Sequence, residues 1–344
     1  GGIIGYMVSG DKVENCSVNN VKIQAFRDFG GIVGCADGNG VTVTDCTATN
    51  ISLIQDGTYT YEDKKPNTFD GIVGVKGGNP SVTNNTSSIA SVKIINCFAD
   101  ATLEQALSLD AKTIEVNLSG NVALNTSNFS TQRGGESTAT ITINGNDHKL
   151  TCNSTYRNHI TTAGATIVLN NLTMTSNYKT EGSTWDDYAI IFDCSTAISN
   201  VTFERQVALC EPYVHSLSNV TINQTTATGD MYALWIEAGA DVTIANSTIN
   251  ATNPTDGKNR AIKIADEYVD NPQLTKLSVS GTTFKSQKKA AVLVTSTAGA
   301  KITWGEGNDI SAVQADQTNA VWNDADRTAA WDLVTVTGCT KIQE

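Results

Sequence analysis

Five prolines in 344 residues leave no material for a proline-rich stalk or linker. Charge is thin as well. Only 17% of residues are charged, 23 basic against 35 acidic, for a formal net charge of −12. An acid excess of that size repels nucleic acid and anionic membrane surfaces, so neither is an expected partner. No apolar run reaches the roughly 18 residues that a membrane span needs. No Cys-x-x-Cys pair occurs, which argues against a zinc or dithiol redox site. There is no Gly-x-x-x-x-Gly-Lys-Ser/Thr, and no helical pattern follows the glycine-rich runs, which removes the nucleotide-loop reading. The three histidines, His148, His159 and His215, stand apart, with no serine or cysteine at a nucleophile elbow. No secretory leader is visible. The chain starts inside a repeat and is expected to be a piece of a longer protein, so that absence says nothing about location.

What the sequence does hold is repetition. Gly1 to Ile23 and Gly30 to Ile54 align almost without gaps; "DGIVGVKGG" from Asp70 copies the head, and "SVKIINCFAD" from Ser91 copies the tail. Each unit reads as a short apolar strand, a glycine-rich turn, an alternating strand and then Asn-Cys or Asp-Cys. On this reading "GGIVG" is itself one strand, with glycines where a neighbour must approach. The composition is 40% hydrophobic and rich in Thr, Val and Ile, which favours strands. A tail signature (apolar, any residue, then Asn, Asp or Gly) recurs along the chain. Its third position falls at Asn15, Asp45, Asn96, Asn171, Asn200, Asn219, Asn246, Gly281 and Gly338, with Gly145 and Gly307 as looser members. The head strands "AIIFD", "VALCE", "ALWIE", "AIKIA", "AVLVT" and "AVWND" precede the later tails. Variable spacing around a fixed signature means fixed strands and variable loops, each strand too short to bury a face alone. Cys16, Cys46, Cys97 and Cys339 take one place in the repeat and are expected to stack as small soft core side chains rather than as disulfides.

This pattern resembles the right-handed parallel β-helix of the pectin-lyase-like superfamily. The resemblance implies an all-β solenoid with an Asn ladder at one turn of each coil. An Asn side chain suits a tight left-handed turn, and aligned residues stack about 4.8 Å apart. The ladder amides are expected to be buried, which makes sequons such as Asn200-Val-Thr and Asn219-Val-Thr a by-product of the fold rather than glycosylation sites. The N-terminal copies are similar to the GGIVG-type (GLUG-like) repeats of bacterial surface proteins. From Ala101 the pattern changes: Leu103, Ala106, Leu107 and Leu109 fit a short amphipathic helix near 102–109, plugging the open end of a second segment. Two segments are therefore expected, glycine-rich β-helical repeats over 1–98 and a parallel β-helix over 99–344.

In that superfamily carbohydrate lies along the outer face of the first strand, and the resemblance directs attention there. In the head strands Ile190, Ala208, Leu234, Ile262, Val292 and Val321 are expected to point inward, with Phe192, Cys210, Ile236, Ile264 and Val294 two residues on. One outward row is then Ile191, Leu209, Trp235, Lys263, Leu293 and Trp322. The other is Asp193, Glu211, Glu237, Ala265, Thr295 and Asp324. Asp193, Glu211 and Glu237, with Trp235 beside them, are expected to be solvent-accessible on one side. Loops carrying Trp185, Asp186, Asp187, Lys258 and Arg260 flank them, and Trp331 is expected to cover the core end of the last coils. Several uses remain open. In an enzyme Asp193, Glu211 and Glu237 would do acid and base work on a glycosidic bond. The same three acids could hold Ca²⁺. Non-catalytic ligand binding would use Trp235, Trp322, Asp193, Glu211, Glu237, Trp185 and Arg260. The plain alternative is that the acids keep a strand end soluble. Motifs of the catalytic families are missing: Asp186-Asp187 lies in a loop, and neither a Gly-His nor an Arg-x-Pro-x-x-Arg occurs.

The resulting expectation is a secreted or bacterial cell-surface β-helix protein, non-catalytic, serving adhesion or glycan contact. Its partner would be a polysaccharide, a host glycan or a surface protein, with no nucleic acid, no membrane span, and no cofactor other than Ca²⁺. The alternatives are a polysaccharide lyase or glycoside hydrolase acting on the outer face of the first sheet, and a structural spacer.

Overall fold

The computed structural model describes residues 1–26, 28–55, 69–124, 139–153, 159–177, 188–224, 232–252, 260–286, 291–313, 321–323 and 332–343. Short strands pair in parallel, coil on coil, and among the described residues one short helix interrupts them. The chain is an all-β parallel solenoid. Its contacts divide it into two compact units, residues 1–122 with 131–146, and 123–130 with 147–344. That division differs from the one expected near residue 99. The strand Thr86–Cys97 pairs with Ala111–Leu118 beyond the helix, which ties the helix and its neighbours into the first unit. No helix among the described residues is long and apolar enough to cross a membrane.

The first unit shows why its glycines recur. Val33–Asp37 pairs with Ile4–Met7 on one side and Val73–Gly77 on the other, so Val33 stacks between Ile4 and Val73. The strand proper begins at Val33, not at Gly30. Gly30 ends the two-residue strand Phe29–Gly30, and a bend at Gly31 and Ile32 separates the two. At that bend the coils close to backbone contact. A Cβ on Gly31 would collide with the Gly71 carbonyl oxygen, and one on Gly74 would lie 2.6 Å from the Phe29 backbone. Beside it the fully buried Phe29 and Phe69 rings stack at 5.4 Å. The helix runs from Asp100 to Ser108 and buries Thr102, Leu103, Ala106 and Leu107, a stripe at the i, i+3, i+4 spacing. Leu109, expected on that stripe, is the helix's C-cap and already extended.

The second unit stacks its head strands, Gln206–Leu209, Tyr232–Glu237, Arg260–Ala265 and Val292–Val294, on the first part of the long strand Tyr188–Phe203. Ile190, Val207, Leu234, Ile262 and Val292 make one internal column. Phe192, Leu209, Ile236, Ile264 and Val294 make the next, and all ten are fully buried. Side chains of this size contribute roughly 1.5–3 kcal/mol each on burial, so each column adds substantially to the stability of the stack.

The tail signature is a line of left-handed turns. Pairing of Leu172 with Val201, Thr202 with Thr221, Thr221 with Thr248 and Thr248 with Thr283 aligns Asn171, Asn200, Asn219, Asn246 and Gly281. Their φ values are 51°, 54°, 54°, 50° and 58°. Asn15 and Asp45 take the same conformation in the first unit; there the third member is Asn84, while Asn96 lies within the strand Thr86–Cys97. The expected burial fails. Asn171, Asn200, Asn219 and Asn246 are exposed, so burial does not separate their sequons from ordinary surface ones. The side-chain ladder sits one residue later. The Val220 amide donates to Ser247 Oγ at 3.1 Å, the Ser247 amide to Thr282 Oγ1 at 3.4 Å, and the Thr282 amide to Asn308 Oδ1 at 2.9 Å. Asn85 does the same for the Cys46 amide at 2.8 Å. Asparagine side chains also bond coil to coil elsewhere, Asn144 to Asn117 at 2.8 Å and Asn250 to Asn223 at 3.2 Å. All eight cysteines are free thiols. Cys16 and Cys46 share a repeat position directly after a positive-φ residue, and Asn85 takes that place in the third coil. Cys339 likewise follows a positive-φ residue, Gly338, whereas Cys97 ends the strand Thr86–Cys97.

Candidate functional site

The outer face of the head-strand sheet is the candidate site, and its register differs from the expectation in one coil. Ala208 pairs with Ile191 and Trp235, while Leu209 pairs with Phe192 and Ile236. Val207 and Leu209 therefore go inward, and Ala208 and Cys210 go outward. A one-residue shift exchanges the faces of a strand. In "VALC" both alternating sets are apolar, so periodicity could not choose between them; the larger Val and Leu fill the core. The outward rows become Ile191, Ala208, Trp235, Lys263 and Leu293, then Asp193, Cys210, Glu237, Ala265 and Thr295.

This face is not open to solvent as expected. Trp235 is 9% exposed and joins Ile191, Ala208, Cys210, Tyr232, Ala265 and Leu293 in a second apolar cluster. Asp193, Glu211 and Glu237 are half-buried. Arg260, expected in a flanking loop, is the first residue of its strand, and its side chain is buried. Trp322 holds its place in the strand Val321–Asn323 opposite Leu293; its side chain lies outside the described residues. Trp185, Asp186, Asp187, Lys258, Asp324 and Trp331 lie outside them altogether.

Two groupings stand on the face. The first is aromatic. Lys263 Nζ lies 4.5 Å from the Trp235 ring centroid and 5.1 Å from that of Tyr232, and bonds Glu267 Oε1 at 2.6 Å. Tyr232 meets Trp235 edge-on at 6.2 Å. Tyr268, which the sequence reading passed over, lies tilted against Trp235 at 6.0 Å and is 67% exposed. Its only signal in the sequence is an aromatic residue in the acidic loop "ADEYVDN" directly after a head strand. Burying Lys263 is tolerated because its ammonium has both a carboxylate and two ring faces.

The second grouping is acidic. Glu211 is in the turn after Cys210 rather than in the row, so Cys210 sits between Asp193 and Glu237 on neighbouring coils. Burial, reinforced by the charges of Glu237 and Asp193, pushes the Cys210 thiol far up, so it stays protonated. Burial also raises Glu237, although the Cys210 thiol hydrogen bond and the Glu211 backbone amide oppose the shift; Asp193 and Glu211 add to it. The Tyr213 phenol is raised by burial and by the same acids. His215 lies beneath. Its Nε2–H donates to the Cys210 carbonyl at 2.9 Å, and Nδ1 accepts from Thr196 Oγ1 at 3.0 Å. Burial lowers it to about 4, so it is neutral near pH 7 with both nitrogens engaged. The pair is therefore no Cys–His nucleophile: the thiol is held protonated and the imidazole faces a carbonyl. Among the described residues no group of three or more His, Cys, Asp or Glu is arranged to hold a metal ion, which leaves the calcium use of Asp193, Glu211 and Glu237 without geometric support.

No family model, curated protein or solved structure matches this chain.

Proposed function

We propose that this chain is a secreted or cell-surface solenoid of the pectin-lyase-like kind that contacts glycan without cleaving it, at the outer face around Trp235. The observation that carries the reading is Tyr268. An exposed ring braced against a buried tryptophan offers a rigid apolar surface on which the apolar face of a pyranose can stack. Half-buried carboxylates on the same face supply acceptors for sugar hydroxyls; Trp235, Asp193 and Glu237 are held on paired strands, and Tyr268 is brought against Trp235 by the loop that follows Ala265. A glycan array probed with the intact chain tests this. Binding should be found, and Tyr268→Ala should weaken it about tenfold, the scale of one stacked aromatic. An array without binders, or affinity indifferent to Tyr268→Ala, would favour the spacer.

One observation favours a second reading, hydrolysis of a glycosidic bond. Asp193 and Glu237 approach one thiol from coils on either side, and Glu237 is raised, as a general acid requires. Release of reducing ends from a bound polysaccharide, abolished by Glu237→Gln, would establish it.

A further inference from the structure

Two consecutive coils of the first unit carry a cysteine at the same repeat position. Glu14 pairs with Thr44 and Ser17 with Thr47, and this register places Cys16 directly across from Cys46. The Thr47 amide donates to the Cys16 carbonyl at 2.9 Å, which fixes the spacing of the coils beside the pair. Neighbouring strands lie about 4.8 Å apart. A disulfide spans Cα separations of about 4.4–6.8 Å, so the backbone is already at a suitable distance. The sulfurs also turn the same way. Cys16 Sγ donates to the Glu14 carbonyl at 3.4 Å and Cys46 Sγ to the Thr44 carbonyl at 3.2 Å, each two residues back. Cys46 Sγ lies 3.8 Å from the Val13 carbonyl oxygen, so it already leans toward the first coil. Rotation about the Cα–Cβ bonds brings the two sulfurs together at the cost of weak S–H bonds. Other cysteines face different residues: Cys35 pairs with Tyr6 and Val75, Cys97 with Leu118 and Cys152 with Ser176.

We propose that Cys16 and Cys46 are a redox-controlled cross-linking site, two thiols that a small-molecule disulfide such as glutathione disulfide converts to a coil-to-coil staple. The two positions divide the chemistry. Cys16 is half-buried and meets the oxidant, whereas Cys46 is 1% exposed and meets only Cys16. The Cys16 thiolate attacks one sulfur of glutathione disulfide and expels a glutathione thiolate, leaving a mixed disulfide. Cys46, on losing its proton, attacks the Cys16 sulfur and expels the second glutathione. Two protein thiols are oxidised and one glutathione disulfide is reduced to two thiols. The staple closes a loop of about 30 residues, long enough to remove much of the unfolded chain's freedom. It also ties the first coil to a well-held one. The Cys46 amide donates to Asn85 Oδ1 at 2.8 Å, and the Cys46 carbonyl accepts from the Thr86 amide at 3.0 Å. The staple is independent of the glycan-contact reading.

The test equilibrates the intact chain with excess glutathione disulfide, then counts thiols in denaturant and maps peptides without reduction. Of the eight free thiols, six should remain. The tryptic peptide Val13–Lys22 should be joined to Asp28–Lys64. The second peptide also holds Cys35, so Cys35→Ser should keep the link and Cys46→Ser should abolish it. Cys16→Ser gives the same answer should Cys46→Ser fail to fold. The oxidised chain should melt roughly 5 °C or more above the same chain in dithiothreitol, and the Cys46→Ser chain should show no such difference. Eight thiols retained after oxidation, or a link that survives Cys46→Ser, overturns the site. A link that forms without raising the melting temperature overturns its role as a staple.

Discussion

Replacing Thr282 by Val removes one rung of the buried ladder while keeping the side chain's size. Thr282 is fully buried; its hydroxyl accepts from the Ser247 amide and donates to the Ser280 carbonyl at 3.0 Å. In the variant the Ser280 carbonyl keeps the Asn246 amide at 3.0 Å, so it stays satisfied. The Ser247 amide loses its acceptor in a place water does not reach. An unsatisfied buried donor costs about 1–3 kcal/mol. The bond lost is a long one, at 3.4 Å, and the new methyl is buried favourably, so the lower half of that range is expected. For a domain of this size each kcal/mol lowers the melting temperature by about 2–4 °C. Thermal unfolding followed by circular dichroism should thus show a drop of roughly 2–8 °C. Ser247→Ala, which strands the Val220 amide, should cost a similar amount, and the double variant should depart from additivity because both belong to one network. Asn200→Leu tests the other row. Its expected cost, about 1 kcal/mol or a little more, comes from the left-handed backbone and not from a lost buried bond. An unchanged midpoint for Thr282→Val, beside a large loss for Asn200→Leu, would put the ladder back at the asparagines and refute the assignment.

The remaining expectations concern the groups beneath the site. His215 has a folded value of about 4, below its unfolded 6.5, so its neutral form stabilises the fold fully above pH 6.5. That contribution, of order 3 kcal/mol, is lost as the pH falls from 6.5 toward 4. The unfolding midpoint of His215→Gln should accordingly vary less with pH than that of the wild type across that window, and parallel profiles would contradict a buried neutral imidazole. Cys210 should resist iodoacetamide at pH 7.5 in the folded chain and react on unfolding, as read by peptide mass spectrometry. Ready labelling of the native chain would mean that the thiol is neither buried nor held protonated.

Much of this architecture is legible in the residue order. A stacked coil repeats its backbone, so it repeats the residues the backbone demands: Asn, Asp or Gly where φ is positive, Gly where coils touch, Val, Ile or Leu where a side chain faces the core. Asn171, Asn200, Asn219 and Asn246 could be aligned from sequence because each is a local requirement of one turn. The short helix could be placed for the same reason, from Leu103, Ala106 and Leu107. What could not be read locally was every choice settled between coils. Whether Ala208 or Val207 enters the core depends on how much volume the neighbouring coils leave, and both residues satisfy the same alternation. Whether Asn246 or Ser247 carries the ladder depends on which side chain reaches the amide of the coil before it. The burial of Trp235, the enclosure of Lys263 by two rings and Glu267, and the position of Tyr268 above them depend on a loop folding back over a sheet. Sequence periodicity records which way a side chain leaves its own strand; only packing between strands decides whether solvent or another part of the chain meets it there.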